Sequence, residues 1–97
     1  MILVKLVKAK SPKKWKMEFY KEGKKIKSTS FGAYGMSDYT IHNDSKRKAL
    51  YIGRHKKREN WNDMYSAGAL SRWILWNKTT LKGSLDSYLK KFKLKLK

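Results

Sequence analysis

"KWKMEFYK", residues 14–21, is the stretch from which the fold is read. Trp15, Met17 and Phe19 alternate with Lys14, Lys16, Glu18 and Tyr20. A period of two sends the apolar side chains to one face of an extended strand and the polar ones to the other. The neighbouring segments fit around it. "SPKK" (11–14) holds the only proline, Pro12, and predicts a turn. Before it, "ILVKLVKA" (2–9) is apolar on both faces except at Lys5. Cut by that lysine and lacking a small-residue cleavage site, it reads as a strand and not a signal peptide. After the central strand, "KEGK" (21–24) predicts a hairpin connection and "KKIKSTSFG" (24–32) a third strand. Three strands with one apolar face need a cover.

The cover is expected from the rest of the chain. Residues 31–40 carry Gly32 and Gly35 and predict an irregular path. "NDSKRKALYIGRHKKR" predicts a helix capped at Asn43, Asp44 or Ser45 and running to about Arg58. "ENWND" (59–63) interrupts, "MYSAGALSRWILWNK" (64–78) predicts a second helix, and "TTLKGSLDSYLKKF" (79–92) a third, capped at Thr79 or Thr80. The stripe of that third helix is Leu81, Leu85, Tyr88, Leu89 and Phe92. The tail "KLKLK" (93–97) alternates and suits either a short edge strand or a basic end. The expectation is one α+β domain over 1–97: a β-rich half (1–32) forming an antiparallel sheet of about three strands, a helical half (43–92) of about three helices packed on it, and a basic tail (93–97).

Charge is the strongest functional signal. Twenty-five Lys and Arg face seven Asp and Glu, a net charge of +18. Self-repulsion on that scale destabilises a compact state and predicts an anionic partner: nucleic acid, an acidic protein surface or anionic lipid. No cysteine is present, which excludes disulfides, thiolate zinc sites and a cysteine nucleophile. No apolar run approaches the roughly 18 residues of a membrane span.

The candidate chemistry concentrates in "SDYTIHNDSKRKALYIGRHKKRENW" (37–61). His42, Asn43, Asp44, His55 and Asn60 include the residue types of a small histidine-dependent nuclease, which needs a general base and a shared cation. The spacing argues against it. The two histidines are thirteen positions apart, not the three to five usual for paired ligands. Asn43 and Asp44 suit helix capping, so no catalytic residue, metal, cofactor or small-molecule substrate is expected. Arg47, Tyr51, Arg54 and Arg58 follow one another at helical steps and predict a guanidinium stripe for phosphate or carboxylate, with Lys46, Lys48, Lys56 and Lys57 beside it. Two plainer readings compete. In one the stripe is solvated and Ala49, Leu50 and Ile52 turn inward; in the other the arginines brace Asp38, Asp44, Glu59 or Asp63. Lys14 and Lys16, joined by Lys5, Lys24, Lys25 and Lys27, predict a basic sheet face around Tyr20, the kind on which single-stranded nucleic acid stacks. Trp15 and Phe19 are expected in the core. Trp73 and Trp76 are core by default and interface anchors if exposed.

Three segments also carry a likeness. "FGAYGMSDYTIHND", "RKALYIGRHKKRENW" and "AGALSRWILWNKTTLKGSLDSYLKKF" resemble a family of short basic proteins encoded by large double-stranded DNA viruses, the giant viruses of algae and amoebae among them. The likeness covers about residues 31–92, and the N-terminal strands match only in type. The family has no assigned activity, so the resemblance implies a viral context and no catalytic residues. In that context the expected role is a minor capsid or capsid-associated virion protein. It would cement acidic surfaces of larger capsid proteins, located in the virion and, during assembly, in host cytoplasm or nucleus. Sequence-nonspecific DNA or RNA binding, with viral DNA as partner, is the alternative, and a histidine nuclease the third.

Overall fold

The computed structural model describes all of residues 1–97. Strands β1 (Ile2–Lys8), β2 (Lys13–Lys21) and β3 (Lys24–Ala33) come first. A short helix α1 (Tyr39–His42) and the longer α2 (Ser45–His55) follow. Next come α3 (Ala67–Leu70), running directly into a π-helical turn (Ser71–Leu75), then α4 (Leu81–Phe92) and a two-residue strand β4 (Lys95–Leu96). The sheet order is β3-β2-β1-β4. The first three strands pair antiparallel, while β4 lies parallel to β1, with Leu3 opposite Lys95. The expected α+β class and three N-terminal strands are present; the tail adds a fourth strand and makes the sheet mixed.

The β2–β3 connection is a two-residue turn, Glu22-Gly23, with Lys21 opposite Lys24. Both turn residues have positive φ, 52° and 79°. That backbone matches the right-handed twist of the flanking strands and is the reason a glycine stands there. The alternation of 14–21 then works as the period requires. Met17 and Phe19 are fully buried, and Trp15 packs half-buried against them. Val4 and Phe31 complete the sheet's share of the core; Leu70, Ile74, Leu75, Tyr88 and Leu94 close it from the helical side. The other face carries Leu3, Lys5, Val7, Lys16, Glu18, Tyr20, Ser28 and Ser30, none of which joins that core. The radius of gyration, 13.0 Å, is what a compact chain of this length has.

The helical half is more broken than its pattern predicts. Asp38 caps α1, which begins at the end of the stretch expected to be irregular, by accepting from the backbone N–H of Thr40. The helix expected to reach Arg58 ends at His55. The helix expected over 64–78 starts only after Ser66, whose hydroxyl caps it, and closes in the π-helical turn, with the Trp76 N–H reaching back to the Ser71 carbonyl at 3.1 Å. A π-helical turn is wider than an α-helical one, and Trp73 and Trp76 meet different partners, Trp61 for the first and Tyr51 with His42 for the second. Helix α4 agrees with its prediction, including Thr80 as cap.

Candidate functional site: a cationic surface over an aromatic column

Helix α2 is fixed at its start by Asp44, whose carboxylate accepts from the N–H groups of Lys46 (3.0 Å) and Arg47 (3.3 Å). Of Ala49, Leu50 and Ile52, only Ile52 turns inward. Ala49 is exposed and Leu50 is 62% exposed, whereas Tyr51 is 7% exposed. The inward residues are Lys48, Tyr51, Ile52 and His55. Tyr51 therefore leaves the outward stripe and becomes the centre of a column of rings. Its ring stacks on His55 at 4.2 Å and on Trp76 at 4.4 Å, the latter within 3° of parallel. Trp76 in turn meets His42 at 5.3 Å. Aromatic pairs of this kind add about 0.5–1.5 kcal/mol each beyond the area they bury. Burial, helped by the nearby Glu59 carboxylate, pushes the Tyr51 phenol far above its ordinary range.

The column decides the fate of the histidines. Tyr51 and Trp76 stand between them, so His42 and His55 cannot hold one cation. His42 Nδ1 accepts from the Asp44 backbone N–H at 2.9 Å, and its Nε2 is buried without a partner. His55 Nδ1 lies 3.2 Å from a Glu59 oxygen. Asn43 closes α1 through the carbonyls of Tyr39 and Thr79, and Asn60 turns the chain by accepting from the Asn62 N–H. No group of three or more His, Asp and Glu side chains gathers in a metal-binding arrangement.

Arg47, Arg54 and Arg58 are exposed and take part in no ion pair. Arg58 lies past the end of α2, in the turn that follows. The four acids that could brace them are engaged elsewhere. Asp38 pairs with Lys14 at 2.7 Å, and Asp44 caps α2. Glu59 takes His55 and, through its other oxygen, the indole N–H of Trp61 at 2.9 Å. Asp63 accepts from the Tyr65 N–H at 3.0 Å. Lys46, Lys56 and Lys57 are likewise exposed. Lys48 is not part of this surface: it donates to the Asn77 carbonyl at 2.7 Å and covers the Tyr39 ring. Desolvation, followed by the positive charges of Arg72 and Lys78, lowers its pKa.

Trp73 and Trp76 are consumed inside the molecule and not displayed as anchors. Trp73 donates its indole N–H to the Trp61 carbonyl at 2.8 Å and lies between Arg72 and Lys91. Arg72 also caps the end of the π-helical turn through the Trp76 carbonyl at 2.8 Å; burial lowers its pKa. Trp61 and Arg72 were not singled out from the sequence, and Glu59 was named only as a possible brace for the arginines, not as the partner of His55 and Trp61. Arg72 was visible as the one arginine outside the cationic stretch, set among apolar neighbours. The role of Glu59 depends on Gly68, where any Cβ would come within 2.9 Å of the Glu59 carboxyl carbon.

On the open sheet face, Lys16 and Lys25 both approach Glu18 (3.8 and 3.3 Å) and Lys5 stays free. The Tyr20 hydroxyl donates to Glu18 at 3.0 Å, which is the largest influence lowering the Glu18 carboxyl and raising the Tyr20 phenol. Lys97 sits 4.5 Å over the Tyr20 ring, so that ring is not a free stacking surface. Lys14 departs from this set toward Asp38. Lys24 and Lys27 lie along β3, an edge strand, where lysines discourage pairing with another chain. Between the ends of β2–β3 and α2 runs a cleft of about 440 Å³, whose lining includes Lys13, Lys14, Tyr51, Arg54, His55 and Trp76.

Residues 4–55 match the model of a family of unknown function (DUF5754). That span holds β1 to β3, α1 and α2, and overlaps the resemblance over 31–92 only at 31–55. No curated protein and no solved structure matches the chain. With more than half of its length on the family model, the chain belongs to this family of unknown function, DUF5754.

Proposed function

We propose that the protein is a non-catalytic structural component of a virion, a minor capsid or capsid-associated protein that cements acidic surfaces of larger capsid proteins. The observation that supports this reading is the unbraced state of Arg47, Arg54 and Arg58, with Lys46, Lys56 and Lys57 beside them. Of twenty-five Lys and Arg, only Lys14, Lys16 and Lys25 are ion-paired. A surface so charged is stable at close quarters only against an anion, and forked guanidinium groups suit carboxylates. The viral setting comes from the sequence resemblance alone. The direct test is carbodiimide coupling of purified particles, which joins amines to touching carboxylates. The expected result is Lys46, Lys56 or Lys57 bonded to Asp or Glu of a large capsid protein. Absence of the chain from the particles would remove the reading.

Sequence-nonspecific nucleic-acid binding is a second reading, favoured by the open sheet face, where Lys5, Lys16, Lys25, Lys95 and Lys97 share one side. With Tyr20 covered by Lys97, binding there would run through phosphates, which position a protein without specifying a base. Such binding is expected to fall with salt at a log-log slope of about −5 for about six phosphates. A shallow slope with preference for one sequence would exclude it.

A further inference from the structure

We propose a separate docking groove, formed by Trp15, Tyr34, Ile41 and Leu81, for an acidic segment of a partner protein that inserts an aliphatic or aromatic side chain. No arginine of α2 lines it, although it shares Lys14 and Asp38 with the cleft that Arg54 borders, and it stands or falls independently of the capsid reading.

The groove has a volume of about 320 Å³, with Ala9, Lys8 and Lys14 also on its walls. Tyr34 is 70% exposed, and Met36 and Ile41 are each 64% exposed. Contiguous exposed apolar side chains of this kind mark contact sites on small proteins. The loop that displays them is held in place. The Tyr34 N–H donates to the Pro12 carbonyl at 2.7 Å and the Met36 N–H to the Ala33 carbonyl at 3.1 Å. Buried Asp38 gathers the Lys14 ammonium at 2.7 Å, the Thr40 N–H at 2.9 Å and the Thr40 hydroxyl. A preformed surface of this sort spends little ordering entropy on binding.

Charge identifies the occupant. Lys8 lines the groove, Lys10 follows the lining residue Ala9 in the exposed β1–β2 connection, and exposed Lys13 opens β2 next to the lining residue Lys14. The ion pairs of the chain include none of these three. A second copy would bring another +18 to the same place, and self-repulsion opposes that. Nucleic acid offers flat bases and at most a thymine methyl, not a projecting leucine- or phenylalanine-sized group to fill an apolar slot. An acidic peptide with an apolar anchor satisfies both the rim and the floor.

Two short synthetic peptides, equally rich in Glu and Asp, test the proposal. One carries leucines and a phenylalanine, and the other has serine in their place. By fluorescence anisotropy at physiological salt, the apolar peptide is expected to bind about tenfold or more tighter, as burial of one large apolar side chain allows. The preference should vanish in the Tyr34→Ser, Ile41→Ser double variant and persist in the Arg47→Gln, Arg54→Gln, Arg58→Gln variant. Amide shift changes in the unmodified protein should centre on residues 34–41 and Leu81, a readout that does not depend on the double variant folding. Equal affinity for both peptides, shifts elsewhere, or self-association abolished by the double variant would each overturn the proposal.

Discussion

At the scale of the residue, Tyr51 shows where reading by pattern stops. Helical spacing put it on a stripe with Arg47 and Arg54, and that spacing is real. What the pattern could not supply was the partner: Trp76, distant in sequence, stacks on Tyr51 and draws it inward. Replacing Tyr51 by alanine is expected to cost about 3 kcal/mol in urea unfolding, as for other buried large-to-small changes. Phenylalanine, which keeps the stack, should cost less than about 1.5 kcal/mol. Glu18 gives a prediction in pH. Its carboxyl titrates below its ordinary range in the folded protein, first because of the Tyr20 hydroxyl and then Lys25 and Lys16, against opposing desolvation. In acid the unfolded chain therefore binds more protons than the folded one. The stabilisation from Glu18 is fully present above the ordinary carboxylate range and is lost as pH falls through the lower folded value. Thermal melts over that range should flatten in Glu18→Gln; an unchanged acid dependence would assign the effect to other carboxylates.

At the scale of the element, the strands were legible because a period of two with a Gly-containing turn admits few alternatives, and α4 because its cap and stripe agree. The helices between were less legible. Ser66 begins α3 later than its apolar run suggests, and the wider π-helical turn is set by packing on both sides of it. The tail was ambiguous between strand and loose end. In the structure, Lys97 N–H donates to the Val4 carbonyl at 2.8 Å, and Leu94 is buried beside the core. Leu94→Ala should lower stability by about 2–5 kcal/mol. Deleting residues 95–97 should leave the core folded but uncover the β1 edge, so light scattering is expected to show faster aggregation than in the full chain. Unchanged aggregation would mean that β4 does not protect that edge.

At the scale of the whole molecule, the surplus of cations was plain from the sequence. Whether the acids near α2 absorb it was not, because that depends on side chains brought together from several elements. Asp38, Asp44, Glu59 and Asp63 each proved to have another task. The separation of His42 from His55 by two rings leads to a prediction about chemistry. Supercoiled, linear and single-stranded DNA incubated with the protein and magnesium, manganese or zinc should remain intact. Cleavage lost in both His42→Ala and His55→Ala would overturn the non-catalytic reading. The central claim is that the arginines of 47–58 face a partner and do not hold the fold together. Exposed charges contribute little to stability, while truncating a charged, hydrogen-bonded pair inside an interface costs about 2–5 kcal/mol of association. The most direct measurement is thermal unfolding of the Arg47→Gln, Arg54→Gln, Arg58→Gln variant alongside its incorporation into particles. The expected result is an unchanged or slightly raised midpoint with incorporation lost. A collapsed midpoint, or full incorporation at normal stability, would contradict it.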